Sequence, residues 1–248
     1  MNTWKRNRRP AWALTVLIIV AAAGCSEWGG QRVVLFDGKN LAGWAGLDPA
    51  HNDWQVASKV ELDQADITRF KILPGTGILV NGPKGRTCNL LTTSKHGDCR
   101  AHIEFVVPKG SNSGVYFQGL YEIQVFDSFG KDQVSFSDCG GIYARWINDQ
   151  NVGGEPPRVN ASKAPGVWQS FDAIFKAPRF DAAGKKIADA KFVKVWHNGV
   201  LIHENTDLTG PTRASLPGPE APTGPLMLQG DHGPVAYRNI WIRPLKLD

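Results

Sequence analysis

From Val33 to the C-terminus no stretch carries a sustained 3.6-residue apolar period; short apolar runs recur instead, each stopped by Gly, Pro or Asn. The 27 Gly and 16 Pro among 248 residues disfavour long helices along the whole chain. Residues 102–107 alternate, with Ile103, Phe105 and Val107 on one face and His102 and Glu104 on the other. A short turn at 95–98 separates them from the apolar run 90–93, so this pair is expected to form a hairpin. Residues 114–118, 121–126 and 141–146 follow as further strands. The run 192–196, the turn His197-Asn198-Gly199 and the run 200–203 predict a second hairpin, because Asn-Gly accepts the positive φ angles of a type I′ turn. Strands at 226–229 and 237–242 complete the set, while 179–190 and 211–225, the latter with five prolines, are expected as loops. Strands resume on both sides of each loop, so neither divides the chain. The expected architecture is all-β, a sandwich or jelly roll forming a single domain over residues 33–248.

The N-terminal segment obeys different rules. Lys5, Arg6, Arg8 and Arg9 precede thirteen mostly apolar residues, 11–23, and then Gly24-Cys25. Thirteen helical residues reach about 20 Å, short of a hydrocarbon core of about 30 Å, so an export signal is expected over 1–24 rather than a spanning anchor. Small residues ending in Cys predict that Cys25 is lipidated, with 25–32 as a short tether and the protein held at a bacterial membrane surface, periplasmic or external. The formal charge of +5 also belongs to this leader: without its four cations the chain from Cys25 carries +1. No electrostatic case for nucleic-acid binding remains. Export predicts one disulfide and one free thiol among Cys88, Cys99 and Cys139, with the pairing open; no CxxC spacing suggests a cysteine zinc site.

Three polar clusters stand out from the strand pattern. Residues 108–114 set Asn112 and two serines among glycines, where donors can face a ligand or simply close a turn. In 121–127 a period of two puts Glu122 and Gln124 on one face, with Ile123 and Val125 on the other. An acid beside an amide suits a hydroxyl-rich ligand, since the carboxylate accepts while the amide donates and accepts; a solvated sheet face is the competing reading. In 229–234, glycines flank Asp231-His232 at a strand end, and His is the natural proton carrier near neutral pH. Apolar parity breaks between Tyr237 and Ile240, which predicts a β-bulge that re-aims Arg238 or Asn239. His102, His197 and His203 sit within strands and are not expected to bind a ligand. The chain has no Gly-Xaa-Ser-Xaa-Gly elbow, His-Glu-Xaa-Xaa-His or phosphate-binding loop, which speaks against a serine esterase, a helix-borne zinc protease or a nucleotide enzyme.

Read in order, the segments 35–44 (LFDGKNLAGW), 112–119 (NSGVYFQG), 121–128 (YEIQVFDS), 139–143 (CGGIY), 196–200 (WHNGV) and 231–240 (DHGPVAYRNI) resemble the 3-keto-disaccharide hydrolase family. The resemblance spans about 33–245. It implies a concanavalin-A-like, glucanase-type jelly roll and export, often as a lipoprotein. It also implies action on glycosides whose C3 hydroxyl has been oxidised to a ketone by a partner glycoside 3-dehydrogenase. A C3 ketone acidifies the C2 proton, so a base can start a β-elimination of the C1 substituent, with water adding back afterwards. Glu122, His232 and Asp231 are the expected catalytic residues, His232 or Glu122 being the base and Asp231 orienting His232. Asn112, Tyr121, Gln124, Gln229 and Arg238 are expected to bind substrate, with Arg238, Gln124 or a metal stabilising the oxyanion. Glu122, Asp127 and His232 are adequate ligands for a divalent ion, calcium or a transition metal, so a metal role is expected as an alternative use of the same side chains. A conventional glycosidase pairing Glu122 with Asp127 or Asp231 competes with this mechanism, and a non-catalytic, lectin-like surface module competes with catalysis altogether.

Overall fold

The computed structural model describes Met1 and residues 30–248; the leader and Cys25 lie outside the described residues. In chain order the strands are β1 (Val33–Val34), β2 (Trp44–Gly46), β3 (Gln55–Leu62), β4 (Phe70–Val80), β5 (Leu90–Thr92), β6 (Cys99–Val106), β7 (Asn112–Phe117) and β8 (Tyr121–Phe126). They continue as β9 (Arg145–Ile147), β10 (Gln150–Val152), β11 (Gln169–Lys176), β12 (Arg179–Phe180), β13 (Lys186–Ala188), β14 (Ala190–His197), β15 (Val200–Leu208), β16 (Met227–Leu228) and β17 (Ala236–Pro244). One 3₁₀ turn at Pro49–His51 is the only helical element among the described residues. The large sheet runs β15-β14-β11-β6-β17-β4-β3, with β1 also on β17, and the small sheet runs β2-β5-β16-β7-β8; all pairings are antiparallel.

The alternation read from the sequence is what builds the sandwich. Ile103 and Phe105 of β6, Phe171 and Phe175 of β11 and Tyr237 of β17 point inward from the large sheet. They meet Val115 and Phe117 of β7 and Ile123 and Val125 of β8 in one continuous core. Phe117 bridges the layers, its ring 5.2 Å from Phe175 and 5.1 Å edge-on from Phe192. Fully burying such a side chain contributes about 1.5–3 kcal/mol, so the inner faces carry the stability and leave the outer faces free for chemistry.

The β14–β15 hairpin forms as expected, with Asn198 at φ 52° and Gly199 at φ 81°. The β17 bulge also forms, between Arg238 and Trp241, with Asn239 at φ 49°. Four expectations need correction. The strand expected at 141–146 is reduced to an isolated bridge at Ile142 and the start of β9 at Arg145. Residues 90–93 and 102–107 are not a hairpin: β5 pairs with β2 and β16, β6 pairs with β11 and β17, and 93–98 carry the chain from one sheet to the other. His96, buried in that crossover, is bridged to Gly224, and burial lowers its pKa to about 4. The expected loop 179–190 contains the small β12–β13 pair. No disulfide joins the described cysteines: Cys88, Cys99 and Cys139 are all free, and burial pushes the Cys139 thiol up to about 12. Cys99 and Cys139 are packed into the core as small apolar side chains.

Candidate active site

The β7–β8 register opposes Tyr116 to Glu122 and Gly114 to Gln124, and all but the glycine turn a side chain to the outer face of the small sheet. Gly114 is there for space: a Cβ would stand 2.1 Å from Glu122 Oε1. This outer face is covered rather than solvated. Residues 140–143 run along the free edge of β8, where Gly140 N donates to Gln124 O (2.8 Å), Gln124 N to Gly141 O (2.8 Å) and Tyr143 N to Glu122 O (3.2 Å). The proline-rich loop closes over the start of β8 through Thr212, whose N and Oγ1 both donate to Leu120 O, at 2.9 and 3.0 Å. Its next residues, Arg213 and Ala214, reach the site, and Ala214 holds φ 60°, a left-handed conformation that a non-glycine residue adopts only under constraint.

The third wall is the Asp231-His232 loop. Fully buried Asn81, just past β4, donates from Nδ2 to Gly230 O (3.0 Å) and Gly233 O (2.8 Å) and accepts from Val235 N (2.8 Å). One side chain thus fixes both ends of the turn. Gly230 is required within it, since a Cβ would meet Cys88 O at 2.3 Å.

These walls enclose an open cleft of about 220 Å³ lined by Asn112, Tyr116, Glu122, Gln124, Tyr143, Arg213, Ala214, Gln229 and His232. Glu122 is only 2% exposed; burial raises its pKa to about 8, helped by the Asp231 charge and partly offset by the Tyr116 hydroxyl. Its carboxyl therefore keeps its proton at neutral pH. His232 is half-exposed, with Nδ1 2.5 Å from Asp231 Oδ1, and that hydrogen bond raises its pKa. Burial resists ionisation of Asp231, but the His232 contact outweighs it and holds the carboxyl below its usual range. The amide oxygens of Gln124 and Gln229 are buried without a hydrogen-bond partner. Unpartnered acceptors in a polar cleft are what sugar hydroxyls would satisfy.

The structure brings together Glu122, His232, Asn112, Gln124 and Gln229, with Asp231 behind His232. It does not bring the others. Tyr121 lies on the core side of β8, its hydroxyl donating to Glu220 Oε1 at 2.5 Å. Arg238 is on the outer face of the large sheet, paired with Glu104 (2.6 Å) and lying 4.1 Å over Trp168. Asp127 accepts from Gly110 N (2.9 Å) and Phe129 N (3.4 Å), away from the cleft lining. Accordingly Glu122, Asp127 and His232 do not form a ligand set, and among the described residues no three His, Cys, Asp or Glu side chains gather where they could hold a metal ion. The same placement of Asp127 removes it as a second glycosidase carboxylate.

Sequence reasoning missed Tyr116, Tyr143 and Arg213. The strand parity that selects Glu122 also selects Tyr116 opposite it. Arg213 sits in an irregular segment with no period to mark it, and Tyr143 in the segment 141–146, where the expected strand is reduced to a bridge at Ile142 and so gives no face to read. Arg213 is held by its N–H donating to Ala144 O (2.8 Å) and by its guanidinium lying 3.9 Å from the Trp146 ring centre.

A family model described as a 3-keto-alpha-glucoside-1,2-lyase-like domain matches residues 31–243. Among solved structures, a "putative glycosyl hydrolase" of Parabacteroides distasonis is 30% identical at TM-score 0.61, over 86% of this chain and 84% of that one. A second protein of that organism with the same description shares the fold at 20% identity and TM-score 0.54, over 87% of this chain and 100% of its own. The comparison with curated proteins gives no match.

Proposed function

This chain belongs to the 3-keto-alpha-glucoside-1,2-lyase-like family, and from that premise we propose that it cleaves glycosides carrying a C3 ketone by eliminating the C1 substituent. The observation that carries the reading is the pairing, in one polar cleft, of a buried acid that keeps its proton with a histidine braced by a carboxylate. Elimination needs both partners: a base for the C2 proton and an acid for the departing oxygen. With Nδ1 bound to Asp231, His232 has Nε2 free as the base, and Asp231 stabilises the imidazolium that forms. Glu122 gives its proton to the C1 oxygen as the C1–O bond breaks. The electron pair of the C2–H bond becomes the C1=C2 double bond by way of an enolate at the C3 oxygen. Arg213, always charged, supplies the positive field for that enolate. Asn112, Gln124 and Gln229 are suited to the ring hydroxyls. The products are the free alcohol and a conjugated enone, and water adding to the enone makes the net outcome a hydrolysis.

The experiment is to incubate a 3-keto glucoside with the protein in D₂O and follow C2 by NMR alongside near-ultraviolet absorbance. The account expects an enone signal and deuterium at C2 of recovered or rehydrated sugar, both lost in His232→Ala. Aglycone release with no enone and no C2 exchange would refute elimination. The leader supports export and anchoring through Cys25; Cys25→Ala would then leave the protein soluble in the cell envelope, and a protein still in the membrane fraction would refute the anchor.

A further inference from the structure

Tyr116 lines the cleft beside the acid, yet the elimination above gives it no task. The β7–β8 register places it directly opposite Glu122, and both side chains leave the same face of the small sheet. Gly114 makes room for them to meet: the Cβ it lacks would stand against Glu122 Oε1 and 2.9 Å from Tyr116 Cε2. The carboxyl and the hydroxyl-bearing edge of the phenol therefore share the space above one glycine. The proline-rich loop fixes the pair from its own side. Thr212 Oγ1 accepts from Glu122 N (3.2 Å), and the carbonyl of the next residue, Arg213, accepts from Tyr116 Oη (3.3 Å).

That last bond is long for a hydroxyl donor, which usually stands about 2.7–2.8 Å from its acceptor oxygen. The phenol is thus loosely committed to the Arg213 carbonyl, and a stronger acceptor can draw its hydrogen bond away. A carboxylate is such an acceptor, because a hydrogen bond to an ionised group is about twice as strong as a neutral one. Glu122 becomes a carboxylate at the moment it protonates the departing oxygen. The groups facing it are Tyr116 from β7, Tyr143 from beside β8, Arg213 from the proline-rich loop, and Asp231 and His232 from theirs. Among these the Tyr116 hydroxyl lowers the Glu122 pKa, while burial and the Asp231 charge raise it. Burial keeps the phenol itself protonated far above neutral pH, so Tyr116 gives a hydrogen bond and retains its proton.

We propose that Tyr116 is a positioning residue for the acid: its hydroxyl turns from the Arg213 carbonyl to the Glu122 carboxylate as that carboxylate forms. The Glu122 proton still goes to the C1 oxygen, and only the acceptor of the Tyr116 hydrogen bond changes. Because this stabilisation appears with the charge, it acts on the transition state rather than on the bound substrate. Its part in cleavage rests on the proposed function; the exchange of hydrogen-bond partners does not.

The test is Tyr116→Phe, which keeps the ring and removes the hydroxyl. Two substrates differ in their need for the acid: methyl 3-keto-α-glucoside, whose methoxide must be protonated to leave, and 4-nitrophenyl 3-keto-α-glucoside, whose phenolate leaves with little help. The variant is expected to raise the nitrophenyl-to-methyl ratio of kcat by about tenfold or more, through the methyl kcat rather than its KM. The basic limb of the methyl kcat/KM profile should move above its wild-type place near pH 8, because the carboxylate has lost a donor. An unchanged ratio overturns the proposal, as does a limb that stays or moves down; a loosened Arg213 alone would slow both substrates alike and leave the limb in place. If the wild-type protein cleaves neither compound, the proposed function fails, and titration then decides the hydrogen bond by itself. Carbon-13 NMR of the glutamate carboxyls, with the Glu122 signal identified by its loss in Glu122→Gln, should give a higher Glu122 pKa in Tyr116→Phe. An equal or lower value overturns the proposal.

Discussion

On β6 of the large sheet His102 and Glu104 point outward; on β8 of the small sheet Glu122 and Gln124 do the same, and in sequence the two strands read alike. Their surroundings differ. Glu104 is paired with Arg238 (2.6 Å) and Asn239 (2.9 Å), and His102 with Asp172 (3.1 Å), while Trp241 stacks on His102 and carries Arg32 4.6 Å above its ring. The charges of Glu104, Arg238, His102 and Asp172 all have partners there, and the hydrogen bond that His102 makes to Asp172 raises the His102 pKa. On the small sheet Glu122 is buried with no cation bonded to it, and two neighbouring amide oxygens have no partner. A face that neutralises itself needs no ligand. The small sheet instead leaves its polar groups unsatisfied inside a cleft, a cost to the folded state that a substrate can offset.

Removing the acid on each face should break the symmetry most strongly. Glu122→Gln is expected to lower kcat on a 3-keto glucoside by about 10²–10⁴-fold, whereas Glu104→Gln should leave it within about twofold. His232→Ala should cost about 10²-fold or more by the same measure. The pH profile of kcat/KM refines this: it should rise as His232 loses its proton, above pH 6.5, and fall as Glu122 ionises near pH 8. Asp231→Asn removes the contact that raises the His232 pKa, so the acid limb should move to lower pH. An unmoved limb would detach Asp231 from His232.

Stability separates the faces in the opposite sense. Because the folded state raises the Glu122 pKa from 4.5 to about 8, folding favours the neutral acid, and stability is lost as pH rises through that window. Glu122→Gln lacks this loss, so its advantage over wild type in urea midpoint should grow from pH 5 to pH 8; a constant difference would contradict the burial argument. Asn81→Ala should destabilise by about 2–3 kcal/mol, because it strands the buried partners at Gly230, Gly233 and Val235, and it should lower kcat with the His232 loop loosened. Glu104→Gln, which loses only a half-exposed pair, should cost about 1 kcal/mol or less in the same unfolding assay.

These contrasts mark how far the sequence could be read. Strand parity was enough to place Glu122 and Gln124 away from the core, and Gly-flanked Asp231-His232 stood out because a titratable pair at a strand end has few structural uses. The Asn198-Gly199 turn and the β17 bulge followed from backbone preference and parity alone. Parity could not say which outward faces are self-paired, since the partners of Glu104 come from β17, far along the chain. That is why Arg238 reads as a substrate ligand in sequence and as an ion-pair partner in the structure. A four-residue turn serves a hairpin or a change of sheet equally well, which hid the 93–98 crossover. Tyr143 is set by its hydrogen bond to Glu122 of β8 and Arg213 by one to Ala144, a tertiary arrangement with no local signal.

The most direct measurement is the turnover of a 3-keto α-glucoside beside its unoxidised parent, following release of the same aglycone, with wild type and Glu122→Gln. The account predicts cleavage of the keto form alone, abolished or reduced by about 10²-fold or more in the variant. Cleavage of the parent at a comparable rate would make this a conventional glycosidase. Undiminished keto cleavage by Glu122→Gln would move the chemistry out of the small-sheet cleft, and glycan binding without cleavage of either compound would leave only a binding module.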